Sequence, residues 1–173
     1  MSPLELLTSP KAFFTDLKQS PTSSLGAAAL MLGLVILLPN VVLTLMGVQP
    51  QTFLLTSIVI YLIFFTTLVG LAGVLASGTG LLHALEVVAY SALPFLVAAV
   101  LLGGLSVFGT FGVRLGQTLT LIGLLMGWYR LFVGFEVMSG SRGSALRGAL
   151  LAPVLAFLAA GFSGLLLGLL GLV

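Results

Sequence analysis

Apolar side chains run almost unbroken from Leu25 to Val173. Only His83, Glu86, Arg114, Arg130, Glu136, Arg142 and Arg147 interrupt them with charge or imidazole. Between Lys18 and His83 lie 64 residues without a charge. A water-soluble domain clothes its surface in polar groups, and this run leaves too few to do so. A bilayer core is crossed by a helix of roughly 20 apolar residues. Five such stretches are legible, at 25–46, 53–76, 85–108, 117–138 and 149–173. Turn residues divide them: Gly47-Val48-Gln49-Pro50, Ser77-Gly78-Thr79-Gly80, Gly109 to Gly116, and Ser139 to Gly143. The pattern predicts an all-α fold: a polytopic membrane bundle of five transmembrane helices over residues 25–173.

Residues 1–24 follow another pattern. Ser2-Pro3-Leu4-Glu5 fits a capping box, and Ser9-Pro10 repeats the helix-start signal. From Pro10 onward Phe13, Phe14 and Leu17 share one face, while Lys11 and Lys18 sit seven apart on another. That is the pattern of an interfacial helix whose lysines meet lipid headgroups. A cap packed on the bundle is the compatible alternative. Ser20-Pro21 then opens the way into the first span.

Composition narrows the class. The chain has 173 residues, 6% of them charged, and mean hydropathy +1.31. Soluble domains are about 25% charged. The net charge of +2 is too small and scattered for nucleic acid. Without cysteine there is no disulfide, thiolate metal site or thiol chemistry. Glu5, Asp16 and three early prolines do not read as a cleaved signal. With the N-terminus in the cytoplasm, that side holds Lys11, Lys18, Arg142 and Arg147, against Arg114 alone opposite. Basic residues favour the cytoplasmic side, so the N-terminus is expected inside and the C-terminus outside. Arg142 and Arg147 join the two lysines as expected headgroup contacts.

Helices in lipid associate through close packing rather than hydrophobic force, so small residues matter. Gly116, Gly123, Gly127 and Gly134 fall on one face of the fourth span, and Arg130 shares it. The fifth span carries Gly161, Gly164, Gly168 and Gly171 on one stripe, and Ala149, Ala152, Ala156, Ala159 and Ser163 on another. The partner, this chain, a homo-oligomer or another membrane protein, stays open. Pro39 and Pro94 lie inside apolar runs, where proline removes a backbone donor and kinks a helix. Ser77-Gly78 and Ser139-Gly140 each precede a proline-bearing helix, a faint repeat.

His83, Glu86 and Tyr90 are spaced three and four apart and so share a helical face. Arg130 and Glu136 approach the same membrane side. Ionisable residues inside a membrane are costly and are functional candidates by default. Each has a plainer reading: the carboxylates interfacial, Arg130 snorkelling or ion-paired, His83 in a loop. Trp128, Tyr129 and Arg130 fall near the middle of the fourth span. Either the helix is shifted to bring them to a boundary, or they face the interior. No nucleophile–base–orienter set, phosphate loop or metal-ligand spacing is visible, so no enzyme, cofactor or metal is expected.

Leu7-Thr8-Ser9-Pro10-Lys11-Ala12-Phe13-Phe14, followed by Pro21, resembles the start of prokaryotic members of the Yip family, the Ypt/Rab-interacting membrane proteins. Gly78-Thr79-Gly80 leading to Ala89-Tyr90-Ser91-Ala92-Leu93-Pro94 is similar to the family's central stretch. The resemblance implies the same five-span layout, and Pro10, Tyr90 and Pro94 are its matched positions. Eukaryotic members bind Rab-type GTPases through a long cytosolic N-terminal region. This chain has about 24 residues there, so GTPase binding is not carried over. The expectation is a non-enzymatic scaffold, adaptor or membrane-organising protein of a bacterial cytoplasmic membrane, in contact with the lipid bilayer. The alternative is a small transporter or channel with a polar path through Glu86, Tyr90, Arg130 and Glu136.

Overall fold

The computed structural model describes residues 8–19 and 25–169. The Ser2–Glu5 capping box, the Ser20-Pro21 entry and Gly171 fall outside them. Among the described residues the regular structure is entirely helical. Helix α1 is Pro10–Gln19, α2 Leu25–Leu45 and α3 Leu54–Leu75. Next come α4 Gly80–Ser91, α5 Leu93–Leu105 and α6 Gly109–Ser139. The last stretch begins with α7, Arg142–Leu146, passes through a π-helical turn at Arg147–Leu151, and continues as α8, Ala152–Leu169. Lipid offers no hydrogen bonds, so each segment must satisfy its own backbone, and helices do this.

Four stretches of the described residues are long and apolar enough to cross a membrane: Leu25–Leu45, Gln51–Leu75, Gly80–Ser139 and Arg142–Leu169. The third is 60 residues long. As one straight rod it would reach about 90 Å, three times the hydrocarbon thickness. It instead folds back at Ser106–Phe108 and Gly109, which adopts φ +66°. That left-handed geometry suits glycine. Beyond the turn the register is antiparallel. Gly112 lies against the Leu105 carbonyl, Gly116 against Leu102, Gly123 against Pro94 and Ala98, Gly127 against Ser91, and Gly134 against Val87. Helix α2 packs along α4 and α5, α3 bridges α4 and α8, and α1 lies on α6.

Two local expectations need correction. The glycines from Gly109 to Gly116, expected as a joint, form the first two turns of α6. Their glycine content reflects close approach, since a Cβ at Gly112 would run into the Leu105 backbone. His83, read as a loop residue, lies in α4. The break near Pro94 is visible: α4 ends at Ser91 and α5 starts at Leu93. Pro39 sits within an unbroken α2, where the neighbouring Asn40 Nδ2 donates to the Ile36 carbonyl at 2.7 Å. The two Ser-Gly loops of the faint repeat meet, since a Cβ at Gly78 would lie 3.9 Å from the Ser139 carbonyl oxygen.

Proline explains the irregular start of the last stretch. Pro153 lacks the amide that would bond the Ala149 carbonyl in α-helical register. Trp128 Nε1 of α6 supplies the missing donor, 2.5 Å from that oxygen. Helix α8 then presents Ala152, Ala156 and Ala160 to the interior, and all three are buried. Its glycine stripe is placed differently. A Cβ at Gly161 or Gly168 would meet nothing within 4 Å, and one at Gly164 would only touch Ile60.

Candidate functional site

Three elements build the site: α1, α4 and the second half of α6. Phe13, Phe14 and Leu17 of α1 are buried, so the amphipathic helix caps the bundle. The Phe14 ring reaches the space beside Gly134, where Val87 also arrives. Phe13 meets the Tyr90 ring edge-on, with centroids 5.2 Å apart. Lys18, expected at headgroups, donates from Nζ to the carbonyls of Val137 at 2.8 Å and Met138 at 3.0 Å. A lysine there satisfies carbonyls that the end of a helix leaves over. Lys11 and Arg142 are exposed, and Arg147 Nη2 donates to Ser144 Oγ at 3.3 Å.

Two of the candidate ionisable residues are buried, one in α4 and one in α6. Glu86 is 1% exposed and Arg130 is 2% exposed. His83 Nδ1 stands 3.0 Å from Glu86 Oε2, one helical turn away and at the half-open edge of the site. Arg130 falls between the Gly127–Ser91 and Gly134–Val87 approaches, so the antiparallel register sets it level with Tyr90. The structure pairs His83 with Glu86 and sets Tyr90, against Phe13 of α1, level with Arg130. It does not bring Glu136 in: six residues beyond Arg130, that side chain lies off its face and is half-buried. Among the described residues no three His, Asp or Glu side chains gather as metal ligands would.

Membrane depth explains how a buried arginine is tolerated here. Irregular backbone does not face lipid, so the α5–α6 turn belongs at a hydrocarbon boundary. Helix α6 has 31 residues and is about 46 Å long. A core of about 30 Å takes roughly 20 of them. A helix entering near Gly109 therefore leaves the core near Trp128, Tyr129 and Arg130. On that placement Trp128, Tyr129 and Arg130 would fall at the hydrocarbon boundary, as the shifted-helix reading expects.

Two open spaces flank α6 beside the cluster. A cavity of about 950 Å³ runs between α3, α8 and the α4–α6 hairpin. Its walls include Phe64, Phe95, Trp128 and Phe157, and its hydroxyls come from Thr56, Tyr61 and Ser91. A second pocket of about 440 Å³ lies on the other face of α6 and includes Arg130. Sequence reasoning did not find the Trp128–Ala149 bond or the Lys18 cap. The proline four residues after Ala149 was the available signal for the first.

The chain matches the Yip1 domain family over residues 4–169, nearly its whole length. It belongs to that family. No match was found among curated proteins or among solved structures. As a Yip-family chain with long apolar helices, it is an integral membrane protein.

The Phe14 contact yields a test of the cap. Phe14 is fully buried, and truncating such a ring costs about 3–5 kcal/mol. Phe14→Ala is expected to release α1 while the spans stay folded. Limited proteolysis in detergent should then cut near Lys11 and Lys18 much faster than in the wild type.

Proposed function

We propose that this Yip-family chain is a non-enzymatic membrane scaffold or adaptor that organises the bilayer around it. In this reading the folded-back stretch crosses twice, giving five spans, with residues 1–24 as the interfacial segment. The N-terminus lies in the cytoplasm and the C-terminus on the opposite side, in the cytoplasmic membrane of a bacterium. The basic residues support that orientation, since Arg114 stands alone at the far end of α6. The observation that carries the scaffold reading is the seating of α1 over the ionisable cluster. Phe13, Phe14 and Lys18 close it against α6, and the large neighbouring cavity is apolar. Such a cluster sets helix positions and presents a fixed surface to partners.

Crosslinking in native membranes tests this directly. The scaffold reading expects a defined homo-oligomer or one specific membrane partner, and recovery of monomer alone contradicts it. The second reading, a transporter using Glu86, Tyr90, Arg130 and Glu136, is favoured by the burial of Glu86 and Arg130 together. It requires solute flux in liposomes that Glu86→Gln abolishes. We expect no flux from either protein.

A further inference from the structure

We propose that the pocket beside Arg130 binds the phosphate of an anionic phospholipid from the α1-side leaflet. The pocket holds about 440 Å³ and is lined by Thr8, Pro10, Leu125, Met126, Tyr129 and Arg130. Its lining changes character along the membrane normal. Leu125 and Met126, exposed on the lipid face of α6, form the end nearer the hydrocarbon. One turn further on stand Tyr129 and Arg130, with Thr8 across the gap. That order is the order of a phospholipid: acyl chains first, then the phosphodiester.

The charge is placed to recognise a phosphate and held still. Arg130 is 2% exposed, fixed between the glycine approaches at Gly127 and Gly134. A guanidinium has five donors in a rigid fork, enough to serve a protein partner and a phosphate oxygen at once. Tyr129 is well exposed at the same level, where tyrosine favours the headgroup boundary. A cation beside an anionic leaflet contributes roughly a fivefold preference for anionic lipid. This site deepens the bilayer-organising role proposed above. Its test reads lipid identity rather than partner capture, so the two proposals fail separately.

The test is native mass spectrometry of the purified full chain, titrated with phosphatidylglycerol or phosphatidylcholine in detergent. The wild type should retain phosphatidylglycerol about fivefold better. Arg130→Gln should bring the two lipids level. Met126→Trp fills the pocket from its exposed wall, so it should remove the preference even if the arginine variant does not fold. Equal retention of both lipids by the wild type overturns the proposal. So does a preference that survives Met126→Trp. Inorganic phosphate at the same concentration should leave the bound lipid in place, and displacement by it overturns the lipid assignment in favour of free phosphate.

Discussion

Gly123→Ala is expected to destabilise the protein by about 1–3 kcal/mol, the usual cost of forcing a methyl group into a filled space. The new Cβ would lie 2.7 Å from the Pro94 carbonyl oxygen and 2.8 Å from the Ala98 Cβ. One neighbour is backbone and the other a helix methyl, so neither can swing aside. The α4–α5 arm would have to move off α6 and loosen the contacts at Gly116 and Gly127 as well. Gly168→Ala is the matched control, because a Cβ there meets nothing. Alanine is the better helix former by up to about 1 kcal/mol, so that variant should be as stable as the wild type or more so. Thermal unfolding in detergent, followed by size-exclusion chromatography, separates the two. If Gly123→Ala and Gly168→Ala behave alike, the antiparallel hairpin is wrong.

Trp128→Phe is expected to lower stability by about 1–3 kcal/mol, because it leaves the Ala149 carbonyl without its donor in a water-poor setting. The ring volume is largely kept, so the loss reports the hydrogen bond. The physical account adds a rescue. Pro153→Ala restores an amide four residues after Ala149. The double variant Trp128→Phe, Pro153→Ala should therefore recover most of the loss, and a double-mutant cycle should show clear coupling. Additive losses would mean that the indole contact does not answer the proline.

The class of fold was legible because hydropathy reports membrane burial almost directly. Residues 25–46 and 53–76 correspond to Leu25–Leu45 and Leu54–Leu75, since there the apolar run and the helix coincide. The match fails where helix and apolar run part company. Helix α6 extends to Gly109 through Arg114, Gln117 and Thr118, because a helix that satisfies its own backbone carries polar side chains as readily as apolar ones. Glycine is ambiguous in the same way: it breaks a helix at Gly109, where φ is +66°, and lets a helix approach a neighbour at Gly112 and Gly123. Only the partner's position tells these apart.

Of the candidate site, spacing placed His83, Glu86 and Tyr90 on one face, and one glycine stripe held Arg130. That α1 lies over them was not legible, because a helix with Phe13, Phe14 and Leu17 on one side suits lipid and protein equally. Lys18 shows the same limit, since headgroup phosphates and the carbonyls ending α6 are both acceptors for an ammonium. The two glycine-bearing helices looked alike in sequence. In the structure the α6 stripe meets its neighbours, whereas α8 turns its alanines inward and leaves Gly161 and Gly168 without a contact.

The central claim is that the bundle packs tightly where Tyr90 and Arg130 stand level and opens no aqueous path there. The chain has no cysteine, so one introduced thiol reports without background. Ser91→Cys is close in size, and Ser91 is 3% exposed, level with Gly127 and Trp128 beside the cluster. Reconstituted in liposomes and treated with a membrane-impermeant maleimide from either side, the variant should remain unlabelled until the protein is denatured. Labelling of the folded protein from either side would show water reaching the bundle interior beside Tyr90 and contradict the account.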